Sequence, residues 1–271
     1  MVESGLQARI DAADAYEQLM VPALFQEWVP RVLSAARVRR GDRVLDIACG
    51  TGVLARAAAE RVGANGSVTG LDTDAGMLLV ATRLAPFVIW REGTAESLPF
   101  SEDSFDAVVS QFGLMFFTDR AKALREMVRV LAPGGRLAVA VWDSLEHAPA
   151  YAAEVALLER LGGEEAASAV RTPFCLGNRE ELDALFIDCG VESVTVTTHQ
   201  GLARFPSIRA MVEADLRGWL PMQGVELSED RISEILEEAE QALSTYRTGN
   251  GSVSFDSPAH IVSAVKPKRP S

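Results

Sequence analysis

Two acids bracket a pair of glycines in this 271-residue chain. Asp46 stands within the stretch "VLDIACGTGVLARAAA", Val44 to Ala59, and Asp72 follows Gly52 by twenty residues (72 − 52 = 20). Gly50 and Gly52 permit a tight turn and let a ligand approach the backbone closely. Ala55 completes a G-x-G-x-x-A spacing, which is formally a dinucleotide fingerprint. An acid at the end of the next strand accepts hydrogen bonds from ribose hydroxyls, so the spacing favours an adenosine-bearing ligand. Asp46 bears on which one. An acid just before the turn suits a cationic group on the ligand, or orients the loop amides, whereas it would burden a pyrophosphate. Cys49, inside the turn, reads as a small packed side chain, because no charge partner is visible to activate a thiolate.

The elements that must position these residues alternate. Residues 4–36 are expected to be helical, with a break where Pro22 opens a second piece from Ala23 to Ala36. A strand from Arg43 to Ala48 leads into the glycines and a helix. "SVTGLD" is a strand ending at Asp72, and the helix "DAGMLLVATRLA" follows, capped by Thr73. "FVIWREG" and "SFDAVVSQFG" are further strands, the latter apolar enough to be buried on both faces. The helix "RAKALREMVRVL" turns at Pro133-Gly134-Gly135 into a fifth strand, "RLAVAVW". Repeated β-α units of this kind predict a doubly wound α/β fold with a mostly parallel sheet. Ligands in such sheets sit beyond the carboxyl ends of the strands, which singles out Cys49-Gly50, Asp72, Gly93-Thr94, Gln111 and Trp142-Asp143.

After residue 145 the alternation stops. "VESVTVTTHQ" and the closing "GSVSFDSPAHIVSAVKP", kinked at Pro258, read as strands. Two amphipathic helices lie between them, as an insertion near 205–247 of the kind that covers ligand sites. The expected organisation is a helical cap over 1–40, a ligand-binding core over 41–145 and a remainder over 146–271 that carries the helical lid.

Composition narrows the classes of function. Hydrophobic residues make up 48% of the chain, and 26 basic against 38 acidic residues leave a net charge of −12. Binding to a phosphate backbone rests on Lys and Arg, so nucleic acid is not an expected partner. The tail Lys266-Pro267-Lys268-Arg269 reads as a solvated end. Cys49, Cys175 and Cys189 form neither a CxxC pair nor a His/Cys spacing, so no metal is expected. With no signal pattern at "MVESGLQARI" and no apolar run of spanning length, a soluble cytoplasmic protein is expected.

Four motifs in order carry a resemblance: "VLDIACGTG", "GLDTDAGML", "EGTAESLPFSEDSFDAVVSQFGLMFF" and "REMVRVLAPGGRLAVAVW". Together they resemble class I S-adenosylmethionine-dependent methyltransferases, above all the branch of ubiquinone/menaquinone-biosynthesis C-methyltransferases. The likeness covers residues 14–145 and extends over the remainder only in outline. It implies a seven-stranded Rossmann-like sheet and S-adenosylmethionine as cofactor. Ala48 and the turn Gly50-Thr51-Gly52 would lie against its methionyl and ribose part. Asp46 would orient that loop and the cofactor's ammonium, and Asp72 would bind the ribose hydroxyls beside Thr73. Met77 would pack on the adenine. In Gly93-Thr94-Ala95-Glu96 the family usually has Asp where Thr94 stands, so Thr94 or Glu96 would meet the adenine amino group. Gln111 and Phe112 would sit by the sulfonium. In "YEQLMVPALFQEW" an aromatic at the position of Tyr16 would close over the methionine end; the alternative is a plain helix–helix contact.

Methyl transfer to a small acceptor chiefly needs positioning and exclusion of water. The acceptor expected here is an apolar or aromatic metabolite such as a quinone, phenol or polyketide-like compound. A base is needed only where the nucleophile must lose a proton. Asp143, Glu146 and His147 follow the fifth strand, and His147 is the histidine best placed for that role, the other reading being a cap on the helix near Pro149. His199 and His260 read as structural. Met211, Val212, Leu216, Trp219, Leu220 and Met222 form a stripe that faces the core and, in a lid, part of an acceptor pocket. Two other classes stay open: a nicotinamide-dependent oxidoreductase, resting on G-x-G-x-x-A with Asp72, and a non-catalytic member of the methyltransferase fold.

Overall fold

A computed structural model describes residues 2–187 and 189–268, with side chains from residue 5 onward. Helix α1 (Val2–Ala15) runs into a π-helical arm, Tyr16–Phe25, a short 3-10 turn and α2 (Val29–Ala35). Then come β1 (Arg43–Ile47), α3 (Val53–Val62), β2 (Ser67–Asp72), α4 (Ala75–Leu84), β3 (Ile89–Glu92), β4 (Phe105–Gln111), α5 (Arg120–Val130) and β5 (Leu131–Trp142). The second half adds α6 (Pro149–Leu161), α7 (Glu164–Arg171), α8 (Arg179–Ile187), β6 (Glu192–His199) and β7 (Leu202–Phe205). It closes with α9 (Ile208–Ala214), a π turn over Asp215–Trp219, α10 (Leu220–Met222), α11 (Glu229–Ala242), β8 (Val253–Asp256) and β9 (Ala259–Val265).

Seven strands form one sheet in the order β3-β2-β1-β4-β5-β9-β6. The pairs from β3 to β5 are parallel and β9 is antiparallel to both its neighbours. This is the doubly wound, mostly parallel sheet that the alternation predicts. Strand order reverses between β1 and β4, so the crevice for a ligand opens above Ile47 and Gln111. The central strands are apolar on both faces because helices cover both: Val44, Leu45, Val108, Val109, Leu137 and Val139 are all buried. Each such side chain contributes about 1.5–3 kcal/mol relative to an exposed one.

Several expectations are corrected. Pro22 does not break the helix; the chain continues through it as a π-helix, with the Gln26 N–H bonded back to the Val21 carbonyl. The wider π turn makes room for a ring that a tight α-turn would expel. Asp74, not Thr73, caps α4, accepting from the Met77 N–H at 2.8 Å. The closing strand divides at Pro258: β8 leaves the sheet to pair with β7 as a separate ribbon. The fifth strand begins earlier than expected, at Leu131, with Pro133–Gly135 forming an irregularity within it. The basic tail is tethered at its start. Lys266 Nζ donates to Asp103 Oδ1 at 2.8 Å and to the Leu131 carbonyl at 2.7 Å, while Arg269 lies outside the described residues. Among the described residues no helix is long and apolar enough to cross a membrane, and no group of three or more His, Cys, Asp or Glu could hold a metal.

Candidate functional site

The turn after β1 is held in strained backbone. Ala48 (φ +56°), Gly50 (φ +52°) and Gly52 (φ +87°) are left-handed, as is Phe112 (φ +59°) at the end of the neighbouring β4. That geometry costs a non-glycine residue about 1–2 kcal/mol, and such strain collects where a fold aims groups at a ligand. Gly52 admits no side chain, since a Cβ there would lie 2.3 Å from the Trp90 ring.

Asp72, rather than Asp46, pins the turn. Its Oδ2 accepts the Gly50 N–H at 2.7 Å and its Oδ1 the Asp74 N–H at 2.9 Å. An ionised carboxylate offers about four lone-pair sites, so Asp72 can hold the turn and still accept from two further hydroxyls. The Gly93 N–H donates to the Asp72 carbonyl at 3.0 Å, which brings the Gly93–Glu96 turn to the same strand end.

Asp46 is buried, at 1% exposure, and neither of its oxygens has a hydrogen-bond partner. Burial pushes its carboxyl well above the usual carboxylate range; the Ala55 amide opposes this without closing a bond of good geometry, and Asp72 adds to it. The Oε1 of Gln111 is likewise buried and unpartnered, while its Nε2 donates to the Phe25 carbonyl at 3.1 Å. Asp46 and Gln111 line a small cavity of about 20 Å³ together with Tyr16, Phe25, Ala48 and Leu54. The Tyr16 ring stacks on Phe25 at 5.4 Å and lies over Gly50. Burial, then the nearby Asp72, Glu17 and Asp46, pushes its phenol upward, so it stays protonated. Burial and the same two aspartates also raise the Cys49 thiol, which makes it unreactive.

Glu17 and Arg56 carry no signal in the spacing of the motifs, yet they join the arm to the turn. Glu17 Oε2 accepts the Thr51 hydroxyl at 2.5 Å, Arg56 Nη2 donates to Glu17 Oε1 at 2.6 Å, and Arg56 Nη1 donates to the Thr51 carbonyl at 2.6 Å. Behind the cavity, Phe112 and Trp142 stack with ring centroids 3.7 Å apart, and both meet Phe25 and Trp28. Trp142 stands at a strand end that the sequence singles out, whereas Phe25 and Trp28 were not legible as site residues, because only the fold brings β5 and the arm together.

The remaining sequence candidates are placed unevenly. Met77 is buried with Ala13 and Val80 under α1, in a cluster against which Tyr16 packs. Glu96 Oε1 accepts the Thr118 N–H at 3.0 Å and so belongs to the approach to α5. Thr94 is exposed, Ala95 is buried, and Thr73 is exposed beside Asp72. His147 Nδ1 lies 3.1 Å from Asp143 Oδ1, which leaves its other ring nitrogen toward solvent. Burial would raise Asp143, but His147, the Ser144 amide and His260 outweigh it and hold the carboxyl low. His260 is structural: Nε2 faces the Gly177 carbonyl at 2.9 Å and Nδ1 faces the Thr198 hydroxyl at 2.9 Å. A carbonyl can only accept, so Nε2 donates to it. A groove of about 590 Å³ between the arm and the β7–β8 ribbon shares no lining residue with the cavity.

Comparison with known proteins decides the class of this domain. Residues 45–139 match the family described as "Methyltransferase domain". These residues are therefore similar to methyltransferase domains, and they carry the first five strands of the sheet. The chain is 41% identical over 132 residues to the ubiquinone/menaquinone biosynthesis C-methyltransferase UbiE of Proteus mirabilis, covering 46% of this chain and 53% of that one. It is 39% identical over 120 residues to the chloroplastic 2-phytyl-1,4-beta-naphthoquinone methyltransferase of Arabidopsis thaliana, covering 41% and 46%. The match thus spans about half the length of the curated relatives. Among solved structures, the YcgJ protein of Bacillus subtilis superposes with a TM-score of 0.60 at 23% identity, covering 89% of this chain and 99% of that one. Phosphoethanolamine N-methyltransferase 2 of Haemonchus contortus, in complex with S-adenosyl-L-methionine, gives 0.60 at 19%, covering 94% and 57%. These likenesses extend the shared fold beyond the methyltransferase domain into the second half of the chain.

Proposed function

We propose that the protein is an S-adenosylmethionine-dependent methyltransferase acting on a small apolar or aromatic acceptor. The observation that carries this reading is Asp46: a carboxyl with two buried, unpartnered oxygens beneath the glycine turn. A pyrophosphate there would meet an uncompensated acid, whereas an ammonium supplies the missing donors and the opposite charge. Gln111 Oε1 adds a further acceptor aimed at the same cavity. The relatives named as quinone methyltransferases support the same class.

When bound, the cofactor supplies an activated methyl group on a sulfonium. The chain's own residues then have three tasks. Asp72 accepts from the ribose hydroxyls while holding Gly50, and Asp46 with Gln111 accepts from the amino-acid end. The arm closes through Glu17, Thr51 and Arg56 and excludes water, with Tyr16 laid over the turn. The Phe25, Phe112 and Trp142 rings make an apolar wall beside Gln111 that suits a flat acceptor. Where the acceptor must lose a proton, His147 is the candidate base and Asp143 its positioning residue. A cavity of about 20 Å³ holds roughly one water, so the arm must open for the cofactor to enter. A screen of quinols, phenols and amines that reads S-adenosylhomocysteine formation tests the proposal. Turnover on an aromatic acceptor supports it; cofactor binding without turnover on any acceptor favours a non-catalytic member of the fold.

A further inference from the structure

Among the described residues, away from β1 and the end of β4, buried and unpartnered oxygens gather at one place: Glu154 Oε1 and Oε2 on α6, and Asp215 Oδ2 at the start of the π turn. Glu154 is 0% exposed and Asp215 4%. The helices packed around them, α7, α9 and α11, turn only aliphatic side chains and methionine inward. Among the described residues the other titratable group facing the pair is the Tyr151 phenol, which burial and the two acids push upward. The arginines on these elements are engaged elsewhere: Arg160 with Glu238, Arg171 with Glu159 and Glu164, and Arg217 with Glu213 and Glu229, all on exposed faces.

Two neighbouring carboxyls in an apolar interior without a cation cannot both ionise. With one proton between them, the acid form donates and the carboxylate accepts. Burial raises both, Asp215 to about 7, with Asp215 adding to the effect on Glu154. They titrate as a unit.

The pair sits under a segment that reaches the active-site rim. Asp215 opens the π turn that ends at Trp219. The Trp219 ring lies 5.1 Å from Phe116, in the turn that follows Gln111 and Phe112, and its Nε1 donates to the Ala169 carbonyl at 2.9 Å.

We propose that the Glu154–Asp215 pair couples seating of residues 208–222 over the Phe116 rim to the uptake of one proton from solvent. This rests on reading that segment as the cover of the acceptor site. In the seated state the pair shares the proton. Lifting the segment hydrates both carboxyls, and the proton returns to solvent. The seated form is therefore complete below the pKa of a free carboxyl and weakens as pH rises through the raised value in the folded protein, near 7 for Asp215.

Hydrogen–deuterium exchange of the full chain from pH 5 to 8, normalised for intrinsic exchange, tests this without cofactor or acceptor. Peptides spanning 205–222 should open more readily as pH rises toward about 7, by up to about tenfold per pH unit for one proton, and level off above it. The double variant Asp215→Asn, Glu154→Gln should flatten that slope. A wild type flat across the range overturns the proposal, as does a double variant that keeps the wild-type slope. The wild-type profile decides alone where the variant fails to fold. Failure of the methyltransferase reading would appear separately, as absence of cofactor binding.

Discussion

The Thr51 hydroxyl donates to Glu17 at 2.5 Å, so the arm and the glycine turn are one closed unit. Arg56 bonds both partners and completes the latch. The same contact that closes the site must therefore break when the cofactor enters or leaves.

Glu17→Ala should speed S-adenosylhomocysteine release. A hydrogen bond to a charged group contributes about 1.5–3 kcal/mol, and half-burial of the pair argues for the lower end. The expected change is about a tenfold faster off-rate in stopped-flow fluorescence. An unchanged off-rate would show that the arm does not gate the site.

Asp72→Ala removes an acceptor from the ribose and frees Gly50. Cofactor affinity should fall by about 1–3 kcal/mol, read by calorimetry. Asp72→Asn keeps one acceptor and should fall less. Equal affinities for wild type and the alanine variant would remove Asp72 from the ribose.

Asp46→Asn should separate stability from binding. In the folded protein burial raises the Asp46 carboxyl above its unfolded value. Its contribution to stability is thus full below the unfolded pKa and is lost as pH rises through the folded one. The variant should melt higher than wild type at neutral pH, by a margin that widens with pH, while binding the cofactor more weakly by about 1–3 kcal/mol. A variant that melts lower and binds equally well would mean that Asp46 has a partner within the protein.

His147→Gln keeps a polar group beside Asp143 without a titrating ring. Cofactor affinity should be unchanged. Turnover of a phenolic or hydroquinone acceptor should fall by about 10²–10⁴-fold if His147 is the base. Undiminished turnover would assign His147 to capping the helix at Pro149.

The sheet was legible because β1, β4 and β5 are continuous apolar runs punctuated by glycine, and because Asp72 stands at a strand end. The contacts of the arm were not. Pro22 reads as a helix break, and only the wider π turn shows how Tyr16 and Phe25 come to lie on one face. Glu96 and Thr94 could not be told apart in sequence, since the amides that occupy Glu96 lie on the chain before α5. Glu154 and Asp215, by contrast, left a trace. Asp215 continues the stripe Ile208, Met211, Val212, Leu216, and Glu154 falls between Tyr151 and Leu158 on the buried face of α6. A charge set on an apolar stripe is itself a sign of a buried acid.

Titration of the full chain with S-adenosylhomocysteine by calorimetry, with NADH as the control ligand, bears most directly on the role of the turn bracketed by Asp46 and Asp72. The expected result is saturable one-site binding of the former, weakened in Asp46→Asn and Asp72→Ala, and none of NADH. Absence of binding at millimolar S-adenosylhomocysteine, or saturable binding of NADH instead, would contradict it.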